Sequence, residues 1–222
     1  MTLPFPRSSP GPALHFAVAS ADHDPYAMGP TLRLHTRITD ATATTVHTIA
    51  LRTQVRIEPQ KRRYDEAEQR RLVELFGEPG DWARSCRPMQ LATVTTLVGS
   101  FTGETTVDVE VPLTHDVEIA TTRYFRGLER GEVPLVLLFS GTVFYRSPQG
   151  VQVGLVPWHE EATYRLPVAV WRDMAAAHHA GTGWLTLPAH TMDRLTAFRA
   201  AHALPSWEQT VDELLRRAEG SS

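Results

Sequence analysis

The chain has 222 residues, of which 42% are hydrophobic, 21% charged and 8% aromatic, and this is enough apolar material to bury a sizeable core. A formal net charge of -3 argues against a dedicated nucleic-acid binder, which would carry a clustered basic excess. A single cysteine, Cys86, excludes an intramolecular disulfide framework and suits a reducing cytoplasm better than secretion.

Residues 1–12 carry four prolines and no apolar run, so they read as a disordered segment and not as a signal peptide. The longest apolar run, Val133 to Phe139, falls far short of the roughly 20 residues a membrane helix needs. From Leu14 the pattern is that of strands. Leu14, Phe16 and Val18 alternate with small or polar residues, and Leu32, Leu34 and Ile38 repeat the alternation after a turn rich in Asp, Pro and Gly. The clearest strand is 46–58, with Ile49, Leu51, Val55 and Ile57 predicted inward and Arg52, Gln54, Arg56 and Glu58 outward. The short connection at 41–45 predicts that these last two strands are antiparallel neighbours.

A helix is predicted over 65–76, with Glu68, Leu72, Leu75 and Phe76 on one face, Gly77 as its stop and Pro79 beyond. Strands follow at 91–98, 105–111 and 116–120. The nearly continuous apolar stretch 133–145 predicts a central strand covered on both faces. Ser147-Pro-Gln-Gly150 reads as a hairpin turn into Val151, Val153 and Leu155. Helical spacing then takes over. Trp171, Met174, Ala175 and His178 form one stripe, Met192, Leu195 and Phe198 a second, and Ser206 with Gln209 a capping box before Trp207, Val211, Leu214 and Leu215. Strands first and helices last predict an α+β fold: an antiparallel sheet or sandwich of roughly eight strands, with an inserted helix and C-terminal helices. Residues 13–217 read as a single domain, with 218–222 a disordered tail.

The sequence holds no phosphate-binding glycine loop, no dinucleotide fingerprint and no nucleophile elbow; Ser140 stands outside a G-x-S-x-G frame and reads as a small residue in a packed strand. Among ten histidines, His178 and His179 are adjacent and diverge by about 100° on a helix, so they do not grip one ion. His159 and Glu161 would share one side of an extended segment, with His115 or Asp116 as further ligands, against the plainer reading of a solvated acidic turn. Cys86 lies between Arg84 and Arg87, which would favour a thiolate. Arg62 and Arg63 belong to a basic run with Lys61, interleaved with acidic residues at 65, 66 and 68. Trp158 and Trp184 fall in irregular segments, so they are the tryptophans best placed as exposed anchors, while Trp171 and Trp207 fit helix stripes.

Five stretches carry a resemblance: Gln54-Val-Arg-Ile-Glu-Pro59, Arg71-Leu-Val-Glu-Leu-Phe-Gly77, Gly131-Glu-Val-Pro-Leu135, Phe139-Ser-Gly-Thr-Val-Phe-Tyr145 and Pro205-Ser-Trp207. In them the chain resembles an uncharacterised actinobacterial family encoded beside high-affinity uptake [NiFe]-hydrogenases, which implies a protein partner and assigns no catalytic residue. The pairs 30–34 with 49–55, and 184–188 with 192–195, are also similar to strands and a connection of the SecB export chaperone. That similarity implies long strands offering apolar surface to an unfolded client. The expectation is therefore a non-enzymatic accessory or chaperone-like protein, without cofactor or metal, that binds a protein such as a hydrogenase subunit or maturation factor and forms homo-oligomers. Trp158, Trp184, Arg62 and Arg63 are the predicted contacts. Two other expectations stand beside it: a metal- or thiol-dependent enzyme built on His159, Glu161 and Cys86, and a structural subunit of a larger complex.

Overall fold

A computed structural model describes residues 11–113, 121, 123–178 and 187–220. These residues fall into two compact units, one within Met1–Ala180 and the other within Gly181–Ser222. The first unit is an antiparallel sandwich. Strands β1 (Leu14–His23), β2 (Thr31–Asp40) and β5 (Glu104–Pro112) make a three-stranded sheet in the order β1-β2-β5. Strands β4 (Met89–Val98), β3 (Val46–Ile57) and β6 (Glu132–Ser147) begin a five-stranded sheet, and β7 (Gly150–Leu155) and β8 (Glu161–Pro167) both lie along the far side of β6. The α+β class, with antiparallel strands and C-terminal helices, is as the periodicities predict.

Alternation sets the core. Ile49, Leu51, Val55 and Ile57 of β3 are completely buried, and Leu32, Leu34 and Ile38 of β2 face them across the sandwich with equal burial. Phe16 of β1 stacks on Phe139 of β6 with ring centroids 4.3 Å apart, joining the two sheets face to face. The β1 and β8 edges also approach one another, as do β4 and β5, so these strands of the two sheets lie close at the sides of the sandwich.

The short connection after β2 does something other than predicted. Strands β2 and β3 are not neighbours: β2 pairs with β1 and β5, and β3 with β4 and β6. The reason lies in Asp40, whose carboxylate accepts from the backbone N–H groups of Ala13, Thr42 and Thr44. With Ala43 at a φ of 51°, this Asp-centred turn carries the chain from one sheet to the other instead of folding it back.

Helix α1 (Glu66–Phe76) starts on Asp65, whose side chain accepts from the Glu68 N–H at 2.8 Å, and ends at Gly77 with a φ of 76°. Two elements escaped the periodicity argument because they are short: β8 and the single turn α2 (Trp82–Ser85). Residues 123–127 are also helical, and Gly127 lets this segment approach α1 closely, since a Cβ there would lie 2.6 Å from a Leu72 methyl. Tyr124 and Phe125 from it are buried, and Phe125 stacks on Trp171 of α3 (Val168–His178) at 4.0 Å. The strand predicted at 116–120 lies outside the described residues.

The second unit is a helix pair, α4 (Ala189–Ala201) and α5 (Trp207–Glu219). Ser206 caps α5 by accepting from the Gln209 N–H, and the Arg199 guanidinium sits 4.3 Å from the centre of the Trp207 ring.

Candidate functional site

The outer faces of the two sheets have opposite chemistry. On the three-stranded sheet, His35 of β2 places Nδ1 2.6 Å from Asp108 of β5 and Nε2 3.2 Å from Asp22 of β1, and Arg33 donates to both oxygens of Asp22. Each of the three strands contributes a charged side chain, and the face is satisfied by its own ion pairs.

The five-stranded sheet differs. Paired residues of an antiparallel ladder point to the same side. The register therefore lines up Leu97 of β4, Ala50 of β3, Thr142 of β6 and Leu155 of β7 in one row, with Thr48, Phe144 and Val153 in the next and Arg146 with Val151 beyond. Leu97 and Leu155 are 76% and 78% exposed, and Val151 and Val153 are exposed as well. Arg52 and Ser140, register partners one row further along β3 and β6, close the patch with polar groups. Ser140 is thus an exposed residue of a sheet face, beside no histidine in its row.

Trp158 is exposed in the segment that follows β7. Strands β7 and β8 are in effect one strand interrupted at 156–160: the Val156 N–H bonds to the Gly141 carbonyl, the Phe139 N–H bonds to the Glu160 carbonyl, and the residues between bulge away from β6. At the tip of this excursion Trp158 is 90% exposed, with its ring edge-on to His159 at 5.7 Å. Of the sequence-predicted contacts, Trp158 is thus exposed, as its irregular segment predicts.

The other predicted contacts are placed differently. Arg62 is not a surface cation. Its side chain is 9% exposed, its guanidinium grips both oxygens of Glu68, and it also donates to the carbonyls of Arg130 and Glu132. Burial works against ionisation of Glu68, but the hydrogen bonds from Arg62 and from the Glu129 N–H outweigh it and hold the carboxyl below its ordinary range. Arg62 is therefore a clasp between α1 and the approach to β6. Arg63 is exposed. Trp184 lies outside the described residues, as do His115 and Asp116.

His159 and Glu161 do not assemble with Cys86. His159 is exposed and lies 3.7 Å from Glu160, which the His15 imidazole approaches at the same distance. Cys86 is buried, and that burial pushes its thiol up, opposite to the effect expected from its arginine neighbours in sequence. Among the described residues no group of three or more His, Cys, Asp or Glu side chains is arranged to hold a metal ion. A cleft of about 380 Å³ over β6 and β8 is lined by Lys61, Pro134, Val136, Thr163, Tyr164 and Arg165, and no nucleophile and base meet there.

The exposed residues of β7 were not singled out from sequence because Val151, Val153 and Leu155 alternate as any half-buried strand does. The usable signal was the absence of charge in Gly150-Val-Gln-Val-Gly-Leu155 together with its position after a two-residue turn.

Fold and surface together define an antiparallel two-sheet sandwich with exposed aliphatic side chains on the outer face of its five-stranded sheet. Over residues 11–222 the sequence matches a family of unknown function (DUF6084), and the chain belongs to that family. No curated protein matches it. Among solved structures it is similar to β-glucosidase 3B from Thermotoga neapolitana in complex with α-D-glucose, at 16% identity over 69% of this chain and 17% of that one, with a TM-score of 0.27. It is also similar to a β-glucosidase from Kluyveromyces marxianus, at 9% identity over 73% of this chain and 16% of that one, with a TM-score of 0.27. The chain spans about a sixth of the length of those enzymes, and a likeness this slight assigns nothing to it. No helix among the described residues is long and apolar enough to cross a membrane.

Proposed function

We propose that this chain is a non-enzymatic accessory protein that binds another protein through the outer face of its five-stranded sheet. The observation that carries the reading is the exposed row from Leu97 to Leu155 with Val153 and Val151 beside it on β7, and the exposed Trp158 in the segment that follows. Large aliphatic and indole side chains are costly to hold in water, and several on one face mark an interaction site. The contrast with the three-stranded sheet supports this, because the same fold there covers its outer face with ion pairs.

The partner we propose is a [NiFe]-hydrogenase subunit or a factor of its maturation, held while its own apolar surface is incomplete; the support is the resemblance carried by segments such as Phe139 to Tyr145 and Arg71 to Gly77. The test is affinity capture with the full chain from a hydrogenase-producing host. The native protein should retain a hydrogenase subunit or maturation factor. A Leu155→Asp, Trp158→Ala variant should lose at least tenfold of it with an unchanged melting temperature. Recovery of no such protein overturns the hydrogenase assignment, and equal recovery by the variant overturns the surface.

A further inference from the structure

Strand β7 pairs with β6 on one side and with no strand among the described residues on the other, so it is an open edge of the five-stranded sheet. The direction of its hydrogen bonds follows from its junction with the bulge. The Val156 N–H bonds to Gly141, so residues 154, 152 and 150 turn their backbone groups toward β6, and 151, 153 and 155 turn theirs away. Arg146, opposite Val151, uses its own N–H on the other side of β6, donating to the Thr45 carbonyl, which confirms the parity. The N–H and C=O groups of Val151, Val153 and Leu155 have no partner among the described residues.

Open edges are ordinarily defended by lysine, proline, a bulge within the strand or an inward charge. Between Gly150 and Leu155 there is none of these. The strand is also its own complement. Laid antiparallel on a second copy with Val153 at the centre, it sets Val153 opposite Val153 and Val151 opposite Leu155. Every pair then joins two residues whose free groups point at the seam, giving about six inter-chain hydrogen bonds. No charge is desolvated, and no like charges meet.

We propose that two copies of this chain pair along β7 about a two-fold axis at Val153, so that two five-stranded sheets become one. This occupant fits better than an extended segment of another protein, because the edge's own sequence satisfies both sides of the seam in a single register. It does not rest on the partner proposed above: the seam is formed by backbone, and the outer-face side chains stay available beside it.

The test uses the purified full chain alone. At about 100 μM, where a dissociation constant of micromolar order leaves mostly dimer, sedimentation equilibrium should give twice the monomer mass of 24.7 kDa. Val153→Pro removes one outward N–H and leaves the β6 ladder whole, and Val153→Lys sets two cations on the axis; both should sediment as monomers with native circular dichroism. A monomeric native chain at that concentration overturns the proposal. So does a dimer that survives both substitutions.

Discussion

Glu68 and Arg62 meet in a two-pronged pair, with guanidinium nitrogens 2.7 and 2.8 Å from the two carboxylate oxygens. Glu68 is buried and the Arg62 side chain is only 9% exposed, so either charge has little water to fall back on if the other is removed. Arg62→Ala should lower stability by about 3–5 kcal/mol, read as a shift in urea midpoint. Arg62→Lys should recover only part of it, because an ammonium cannot span Glu68 and the two carbonyls at once. The double variant Arg62→Met, Glu68→Leu should be less damaged than either single change. A double variant whose loss equals the sum of the singles would show that the charges are not coupled.

Protonation of His35 should matter above neutral pH. Its hydrogen bond to Asp108, and then that to Asp22, raise its pKa. Below the unfolded-state value of about 6.5 the imidazolium is charged whether folded or not, and its ion pairs contribute in full. As pH climbs through the raised folded value the proton leaves and the contribution disappears. The carboxyl of Asp22, held low by Arg33 and by His35, gives the opposite limb: its contribution is present above its unfolded value of about 4 and is lost as pH falls through the lowered one. The stability gap between native protein and His35→Gln should be wider near pH 6 than near pH 9. A gap independent of pH would contradict this account.

Gly141 has a φ of 146° where β6 crosses β3, and a Cβ there would run into the Ala50 carbonyl. Strain and collision act together. Gly141→Ala should cost about 3 kcal/mol or more, measured by thermal unfolding, and a loss under about 1 kcal/mol would mean the strands part easily at this point.

Thr53 points the other way. It sits fully buried in β3, and its hydroxyl has no hydrogen-bond partner among the described residues. Thr53→Val removes that orphaned group while keeping the branched shape, so it should stabilise the chain by about 1 kcal/mol. A destabilised variant would reveal a partner for the hydroxyl.

Cys86 should resist modification. The thiol is buried and its pKa is raised by that burial, so a disulfide reagent should leave the native chain untouched and label it stoichiometrically in denaturant. Rapid labelling of folded protein would place the sulfur elsewhere.

How far the sequence could be read depended on the range of each interaction. Local rules served well. Alternation put Ile49, Leu51, Val55 and Ile57 inside, and Asp65 and Gly77 bracket α1 where a cap and a stop were expected. Pairing was not legible, because period two says which way a side chain faces and is silent on which strand lies alongside; the Asp40 turn could as well have closed a hairpin. Arg62 shows the same limit for charge. Lys61-Arg-Arg63 reads as a solvated run, and only tertiary structure brings the 130–132 carbonyls over it. The exposure of Trp158 was legible because irregular backbone already argued for it, whereas β7 hid behind an ordinary alternation.

The long pairing of β3 with β6 also bears on how the chain is made. Ile57 meets Leu135, and Val46 meets Tyr145, almost a hundred residues later in the chain. At about 5–20 residues per second, a ribosome would leave β3 without its second neighbour for several seconds after it emerges. During that interval β3 has β4 beside it and β2 available to its apolar side, but the backbone groups meant for β6 form an open edge, so the nascent polypeptide passes through its own aggregation-prone window before β6 arrives.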